Sequence, residues 1–404
     1  MNGGDRKIVT SYVRRVMGSP PALFALIVGI VLRILFIVLT PIGGESVPGK
    51  LSSYNDELAH ANYALHLVHS GTLPLNVESI ETPGALQSAQ YENYQPPLYY
   101  VSIALLARAM SLESREDIVY LGRVFGLGAF ALLLLVYLFF CRALAVEHVT
   151  AAAGVIFLSL GAVFVRFTAT AGNDPLFWIL AGLMLIALVR LRSSPFGFRW
   201  LAAFVLWSVL ALFTKLSALL LVPLLPIALK SESRKRVAIL SAAAFAAIIL
   251  LTWPVWQRNL SEFGSLLPLS AGFGTPHWRI PDFMAFSFAV RSFLFPWTEF
   301  WQGAIGLTVL AVPGLFFAFE FFYRGAAKII ISRPLLIGAT LLALGGFIWL
   351  NLRYDQAEAR YVFVVWPVVC LALTAAINAV RRQWLLVAVL VFPYVLFLLP
   401  AIGV

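Results

Sequence analysis

Charged residues are scarce in this chain. Of its 404 residues, 12% are Asp, Glu, Lys or Arg, whereas soluble domains carry about 25%. Hydrophobic residues make up 61%, and the mean hydropathy is +0.90. This composition excludes an ordinary soluble domain and indicates an all-α polytopic membrane protein. Apolar runs of about 20 residues recur along the sequence and predict about eleven transmembrane helices.

Cysteine is also scarce, and glycine patterns that bind nucleotides are missing. The two cysteines, Cys141 and Cys370, lie far apart and have no partner at metal-site spacing, so we interpret them as small buried residues. Neither a Walker A nor a Rossmann glycine pattern occurs, which disfavours a nucleotide-driven pump and a cytoplasmic nucleotide-sugar enzyme. No clear internal repeat is present, which argues mildly against transporter folds with two related halves.

The net charge of +10 is explained by membrane topology, without nucleic acid as a partner. Basic clusters occupy alternate loops, beginning with the segment that contains Arg6 and Arg15. Such loops face the cytoplasm. We therefore expect residues 1–404 to form a single multi-pass domain in the plasma membrane, with a cytoplasmic N-terminus. The two longest loops, residues 41–117 and 257–302, are then extracytoplasmic, and amphipathic helices are expected in the first.

The segment Asn55-Asp56-Glu57-Leu58-Ala59-His60 places two acids and a histidine in the first long loop. Asn55 is a typical helix N-cap, and acids in a first helical turn can serve only to stabilise the helix. Asp56 and His60 are four residues apart and share a helix face. Near a membrane surface, such an acid is also a candidate general base for a sugar or lipid acceptor. Because no HExxH or Cys/His set occurs, metal binding by the histidines is the lesser alternative.

Further short motifs follow in chain order. They are Gly71 with Pro74, Gln95-Pro96-Pro97-Leu98-Tyr99-Tyr100, Thr170-Ala171-Gly172-Asn173-Asp174-Pro175-Leu176, Thr214-Lys215-Leu216-Ser217, Arg258-Asn259 with Phe263-Gly264, and Glu358-Ala359-Arg360-Tyr361. Together with the first-loop acids, this series resembles GT-C glycosyltransferases, in particular dolichyl-phosphate-mannose protein mannosyltransferase-like enzymes and aminoarabinose transferases acting on lipid A. Each motif is short, but their order and topology extend over most of the chain.

The resemblance implies a GT-C-like bundle and an enzyme that acts outside the membrane. Such enzymes transfer a hexose or pentose, typically with inversion, from a polyprenyl-phosphate carrier to a lipid, glycan or protein acceptor. It implies that Asp56 is the catalytic base or the acid that orients the acceptor, with Glu57 assisting. Some of these enzymes use a divalent metal and others do not, so a metal cofactor stays open.

The substrate-binding candidates share a position beside the expected external surface. They are His60, Tyr94, Gln95, Asn173, Asp174, Lys215, Arg258, Arg353 and Arg360. A phosphate leaving group needs cations, although the same cations can instead snorkel or pair with acids. Lys215 stands out because an isolated lysine between apolar runs is costly without a role.

Three of these candidates have a second interpretation. Asp174 is either an ordinary helix starter, or a second acid near the sugar or a metal ligand. Tyr94 either stacks on substrate or belongs to the interfacial aromatic belt. Gln95 departs from many relatives, which place His or Lys before the two prolines; glutamine donates hydrogen bonds but carries no charge.

Two other classes of function compete with the transferase. A transporter or flippase for a lipid or amphipathic solute predicts ionisable residues deep within the spans, whereas most ionisable residues here lie near the ends of apolar runs. A non-catalytic membrane scaffold predicts that Asp56 can be replaced without loss.

Overall fold

The computed structural model describes residues 3–42, 55–74, 91–193, 197–229, 233–269, 278, 333–354, 358–375, 377 and 380–401. Within these ranges the structure is helical and contains no strand. The α-helices are α1 Gly3–Met17, α2 Pro20–Leu39, α3 Asn55–Ser70, α4 Leu98–Ala109, α5 Arg115–Ala143, α6 His148–Leu160, α7 Ala162–Phe167, α8 Asp174–Ser193, α9 Phe198–Leu212, α10 Leu225–Ala228, α11 Arg234–Leu251, α12 Trp253–Phe263, α13 Pro334–Arg353, α14 Trp366–Thr374 and α15 Val380–Ala401. The same ranges contain three 3₁₀ helices, at Tyr91–Tyr94, Leu216–Leu224 and Ala359–Val365.

Among the described residues, four helices are long and apolar enough to cross a membrane: α2, α5, α8 and α13. A fifth span is possible if α11 and α12 count as one, since they meet at a bend of 54°. The bend is explained by Pro254 in the first turn of α12, because proline lacks the amide hydrogen that would continue the ladder. The all-α polytopic prediction is confirmed.

The count of eleven spans is not confirmed. Several of the expected spans form apolar helices of only 10–17 residues, including α6 and α9. For example, α6 ends at Gly161, whose extended backbone interrupts the apolar run before α7 begins. One of the eleven expected spans, which begins near residue 303 in the sequence, lies outside the described residues, as does most of the loop at 257–302.

The main core joins α2 to α6 and α8 to both α5 and α9. At Gly29 the backbones of α2 and α6 approach so closely that a Cβ atom would lie 2.4 Å from the Ser159 carbonyl oxygen. One turn later the buried Arg33 donates to the carbonyls of Leu158 and Ser159 and to the hydroxyl of Thr168. A small residue and an arginine that donates four hydrogen bonds thus fix α2 against the bundle.

A second core is built by the helices of the first long loop. There α3 packs on α4 and α5, and it is buried on almost every face. The rings of Tyr63 and Tyr100 stack with centroids 3.8 Å apart. Arg108 donates to the Leu67 and Val68 carbonyls, which satisfies the C-terminal end of α3. The first helix of this loop is therefore packed into the protein, and its first turn contributes to a cavity.

Candidate active site

A cavity of about 290 Å³ collects residues from several separate parts of the chain. Its polar lining consists of Asp56, His60, Glu92, Tyr94, Gln95, Asn173, Lys215, Ser217, Arg360 and Tyr361. Its apolar lining consists of Leu216, Leu219, Leu220, Leu267, Leu269, Phe347, Trp349 and Leu350. Gly346 allows α13 to approach the 3₁₀ helix Leu216–Leu224, because a Cβ atom there would lie 2.9 Å from Leu220. One cavity therefore offers both charged groups and a hydrocarbon surface.

Arg360 connects the first turn of α3 to the start of α8. Its Nη2 donates to Asp56 Oδ2 over 2.8 Å, and its Nη1 lies 3.6 Å from Asp174 Oδ2. Its Nε lies 2.6 Å from Glu358 Oε2. One guanidinium therefore contacts three carboxyl groups, and its charge-assisted hydrogen bond with Asp56 fixes the direction in which that acid points.

Lys215 is the second cation of the cavity. It lies in extended backbone between α9 and the 3₁₀ helix Leu216–Leu224, and its Nζ bonds Asp174 Oδ1 over 2.6 Å. The Asn173 side chain donates to the Thr214 carbonyl over 3.4 Å. The Asn-Asp and Thr-Lys motifs, which are about 40 residues apart in sequence, thus meet at one place and support each other.

His60 is a neutral side chain at the wall of the cavity. Its Nδ1 lies 2.8 Å from the Tyr100 hydroxyl, and its ring stacks on the Tyr100 ring. Burial, with a smaller contribution from the Lys215 charge, lowers the pKa of His60 to about 3. His60 therefore offers hydrogen bonds to a substrate but no positive charge.

Tyr94 and Gln95 are buried beside each other in the polar lining. The Gln95 side-chain amide donates to the Tyr94 hydroxyl over 2.8 Å, and both residues face the cavity. This placement is that of a cavity wall and differs from an interfacial belt, in which a tyrosine would meet lipid headgroups.

Glu57 lies outside the cavity, although it is adjacent to Asp56 in sequence. Both of its oxygens accept hydrogen bonds from Arg123, at 2.8 and 2.7 Å, and one accepts a third from the Ala171 amide. The side chains of Glu57 and Arg123 are 2% and 0% exposed. Successive helical residues point about 100° apart, so the two acids enter different environments. The position of Glu57 does not support its expected part in catalysis.

Two of the four expected phosphate-binding cations are also away from the cavity lining. Arg258 donates to the backbone carbonyls of Pro74, Asn93 and Gln95, and so fastens α12 to the first loop. The Arg353 guanidinium lies 4.6 Å from the centre of the Trp278 ring. Among the described residues, the cavity is lined by the other two cations, Lys215 and Arg360.

Glu92 was not among the predicted site residues. It is 7% exposed, lines the cavity, and its Oε2 has no hydrogen-bond partner among the described residues. Burial and the negative charge of Asp56 raise the pKa of Glu92 to about 8. The sequence carried one signal for it, namely an acid within the aromatic stretch Tyr91-Glu92-Asn93-Tyr94 just before the two prolines.

The acids of the cavity do not form an evident metal site. In the part of the chain that the structure describes, no three His, Cys, Asp or Glu side chains are grouped so that they could hold a metal ion. Three acids, Asp56, Asp174 and Glu358, all contact Arg360. Burial raises the pKa of one of them, Glu358, to about 7.

Comparison with known proteins places the chain in a family and a fold. The family described as "Predicted membrane protein (DUF2142)" matches residues 41–295, more than half of the chain. No curated protein matches the chain in sequence. The structure is similar to that of ArnT from Cupriavidus metallidurans bound to undecaprenyl phosphate, with a TM-score of 0.57 and 14% identity, covering 93% of this chain and 62% of that one.

Archaeal structures show the same likeness. The oligosaccharyltransferase AglB from Archaeoglobus fulgidus, in complex with an inhibitory peptide and a dolichol-phosphate, gives a TM-score of 0.55 at 10% identity. That match covers 94% of this chain and 56% of AglB. The chain thus spans about three fifths of the length of these structures. It belongs to the DUF2142 family of membrane proteins and has the fold of GT-C glycosyltransferases.

Proposed function

We propose that this protein transfers a sugar from a polyprenyl-phosphate carrier to an acceptor at the extracytoplasmic face of the plasma membrane. The observation that carries the proposal is the cavity in which Asp56, Lys215 and Arg360 share a space with leucine, phenylalanine and tryptophan side chains. Two proteins of the same fold support it, because one is bound to undecaprenyl phosphate and the other to a dolichol-phosphate.

A polyprenyl phosphate combines one anionic group with a long hydrocarbon chain, and the cavity lining matches both parts. Lys215 is followed directly by Leu216, and Leu219 and Leu220 come one turn later; all three leucines line the cavity. A phosphate bound by Lys215 and Arg360 would leave the first isoprene units against this surface and against Trp349 of α13. In such a complex the two cations exchange part of their contact with Asp174 and Asp56 for the phosphate oxygens.

In the proposed reaction, an acceptor hydroxyl attacks the anomeric carbon of the sugar with inversion. The bond between that carbon and the phosphate oxygen breaks, and the phosphate leaves with the bonding electron pair. The acceptor proton passes to the Asp56 carboxylate, which Arg360 holds in position. Lys215 and Arg360 stabilise the charge that develops on the leaving phosphate. His60, Tyr94, Gln95 and Asn173 offer hydrogen bonds to the sugar.

The orientation of the protein follows from the alternation of basic loops. A cytoplasmic N-terminus puts residues 41–117, and with them Asp56 and Glu92, on the extracytoplasmic side. A sugar donor attached to a membrane lipid suits that side, because nucleotide sugars are not available there. The acceptor, which is a lipid, a glycan or a protein, would approach from the same side.

The test is mass spectrometry of surface glycans, glycolipids and glycoproteins from a strain that lacks the gene. The strain is complemented with the wild type, Asp56→Asn or Asp117→Asn at matched membrane levels. Asp117 is an exposed acid that belongs to the N-terminal cap of α5, away from the cavity. We expect the wild type and Asp117→Asn to restore a sugar that Asp56→Asn does not. Equal restoration by all three would refute the role of Asp56 and favour transport or scaffolding.

A further inference from the structure

Glu92 is a buried acid in the cavity lining, and the reaction proposed above assigns it no role. It lies in the 3₁₀ helix Tyr91–Tyr94, and its Oε2 has no hydrogen-bond partner among the described residues. A buried polar atom without a partner is costly, and in a native protein it points to a missing ligand or a functional role. Because this atom belongs to a residue that lines the cavity, a substrate can supply the missing partner.

The charges around Glu92 come from every element that meets at the cavity. The titratable and hydrogen-bonding groups that influence its carboxyl or share its lining include Asp56 and the neutral His60 of α3, Tyr94 and Gln95 of its own segment, Tyr100 of α4, Asp174 of α8, Lys215 after α9, and Arg360 with Tyr361. The two cations are already paired, Lys215 with Asp174 and Arg360 with Asp56. The formal charges of Lys215, Arg360, Asp56 and Asp174 cancel, and Glu358, the third carboxyl on Arg360, adds no positive charge. An ionised Glu92 would therefore give the cavity a net negative charge.

We propose that Glu92 is a substrate-binding residue that stays protonated and donates its carboxyl hydrogen to a phosphate oxygen of the polyprenyl carrier. This inference rests on the proposed function. A protonated carboxyl is a hydrogen-bond donor, whereas an ionised one is only an acceptor and would repel a phosphate. Carboxylic acids that are kept neutral by an apolar site are used as donors in this way. The geometry supports the assignment because the unpartnered oxygen lies in the lining that also contains Lys215 and Arg360.

The proposal makes carrier binding depend on pH in a stated direction. With a pKa of about 8, Glu92 is mostly protonated at pH 7 and mostly ionised at pH 9. If only the protonated form binds the phosphate, the affinity falls about tenfold between these two pH values. The neutral isostere Glu92→Gln also offers a donor and cannot ionise, so its affinity should change by less than about twofold over the same range.

The experiment measures binding of undecaprenyl phosphate to the purified full chain in nanodiscs at pH 7, 8 and 9. The proteins are the wild type, Glu92→Gln and the control Glu116→Gln, an exposed acid of α5 that pairs with Arg115. Undecaprenol, which has the same chain without the phosphate, is measured in parallel. Intrinsic fluorescence during thermal unfolding confirms that each variant is folded before binding is compared.

We expect the wild type and Glu116→Gln to lose affinity for the phosphate as the pH rises, while Glu92→Gln does not. Binding of undecaprenol should show no such difference. Parallel pH profiles for the wild type and a folded Glu92→Gln, or a Glu92→Gln that fails to bind at pH 7, would overturn the role of Glu92 and leave the transferase proposal standing. No binding of undecaprenyl phosphate by the wild type at any pH would instead contradict the proposed function itself.

Discussion

Replacing Glu57 with Gln should destabilise the protein without removing a group that takes part in transfer. Glu57 accepts three hydrogen bonds, two from Arg123 and one from the Ala171 amide, and its side chain is 2% exposed. The pair joins α3 to α5, and Arg123 also donates to the carbonyls of Ile37 and Thr40 at the end of α2. Three helices that position Asp56 therefore depend on this one buried contact.

The expected cost follows from the burial. Removing one partner of a buried ion pair costs about 3–5 kcal/mol, because the remaining charge is left without compensation. Gln keeps one oxygen acceptor, and the backbone carbonyls still solvate Arg123 in part. We therefore expect the low end, a loss of about 3 kcal/mol in the free energy of unfolding. The exposed pair of Glu116 with Arg115 contributes less than about 1 kcal/mol, so Glu116→Gln is the matched control.

The assay compares unfolding of the purified variants by steric trapping in lipid bicelles, followed by sugar transfer at a temperature where each variant is folded. The double variant Glu57→Leu with Arg123→Met should regain part of the lost stability, since a buried pair can be replaced by apolar groups at little cost. If Glu57→Gln has the same free energy of unfolding as the wild type but transfers no sugar, the structural assignment is refuted and Glu57 takes part in the transfer reaction.

Two further predictions concern single residues of the cavity. Lys215→Met should weaken undecaprenyl phosphate binding about tenfold to a hundredfold, because a charge-assisted hydrogen bond is lost. Equilibrium binding measurements check this prediction against the exposed control Lys235→Met. An equal change in affinity for the two variants would refute it. His60→Gln should reduce the loss of stability on acidification. With a folded pKa of about 3, His60 stays neutral, while the unfolded chain takes up a proton below its ordinary pKa of about 6.5. Between pH 7 and pH 5, the free energy of unfolding of the wild type should therefore fall by about 2 kcal/mol more than that of the variant. Unfolding measured at both pH values checks this, and equal decreases in the two proteins would contradict the assignment.

Composition and motif order were enough to predict the fold class. Charged side chains are costly inside a membrane, so a chain with only 12% charged residues is indicated to be a membrane protein. The motifs around Asp56, Asn173, Lys215 and Arg360, which were identified from the sequence, meet at one cavity. The number of spans could not be obtained in the same way. Hydropathy measures the length of an apolar run, but the break at Gly161 depends on how two helix segments pack.

The sequence also could not separate neighbouring acids or equivalent cations. Asp56 and Glu57 have nearly the same side-chain chemistry, and only the rotation of α3 against α5 sends one to the cavity and the other to Arg123. Arg258 follows an apolar run and Arg360 precedes one, yet the first bonds backbone carbonyls and the second bonds acids. Glu92 was missed because its property arises from burial, which local sequence does not report.

The central claim is tested most directly with a whole-membrane extract from the strain that lacks the gene, since this extract holds lipid, glycan and protein acceptors together with the unused donor that the strain should accumulate. Purified wild type, Asp56→Asn and Asp117→Asn are reconstituted in nanodiscs with this extract, and the polyprenyl-phosphate-linked sugars are followed by mass spectrometry. The account predicts that the wild type and Asp117→Asn consume one glycosyl polyprenyl phosphate and release the free polyprenyl phosphate in equal amount, while Asp56→Asn leaves the donor intact. If the wild type consumes none of the polyprenyl-linked sugars that accumulate, or if Asp56→Asn consumes them at the wild-type rate, the account is contradicted.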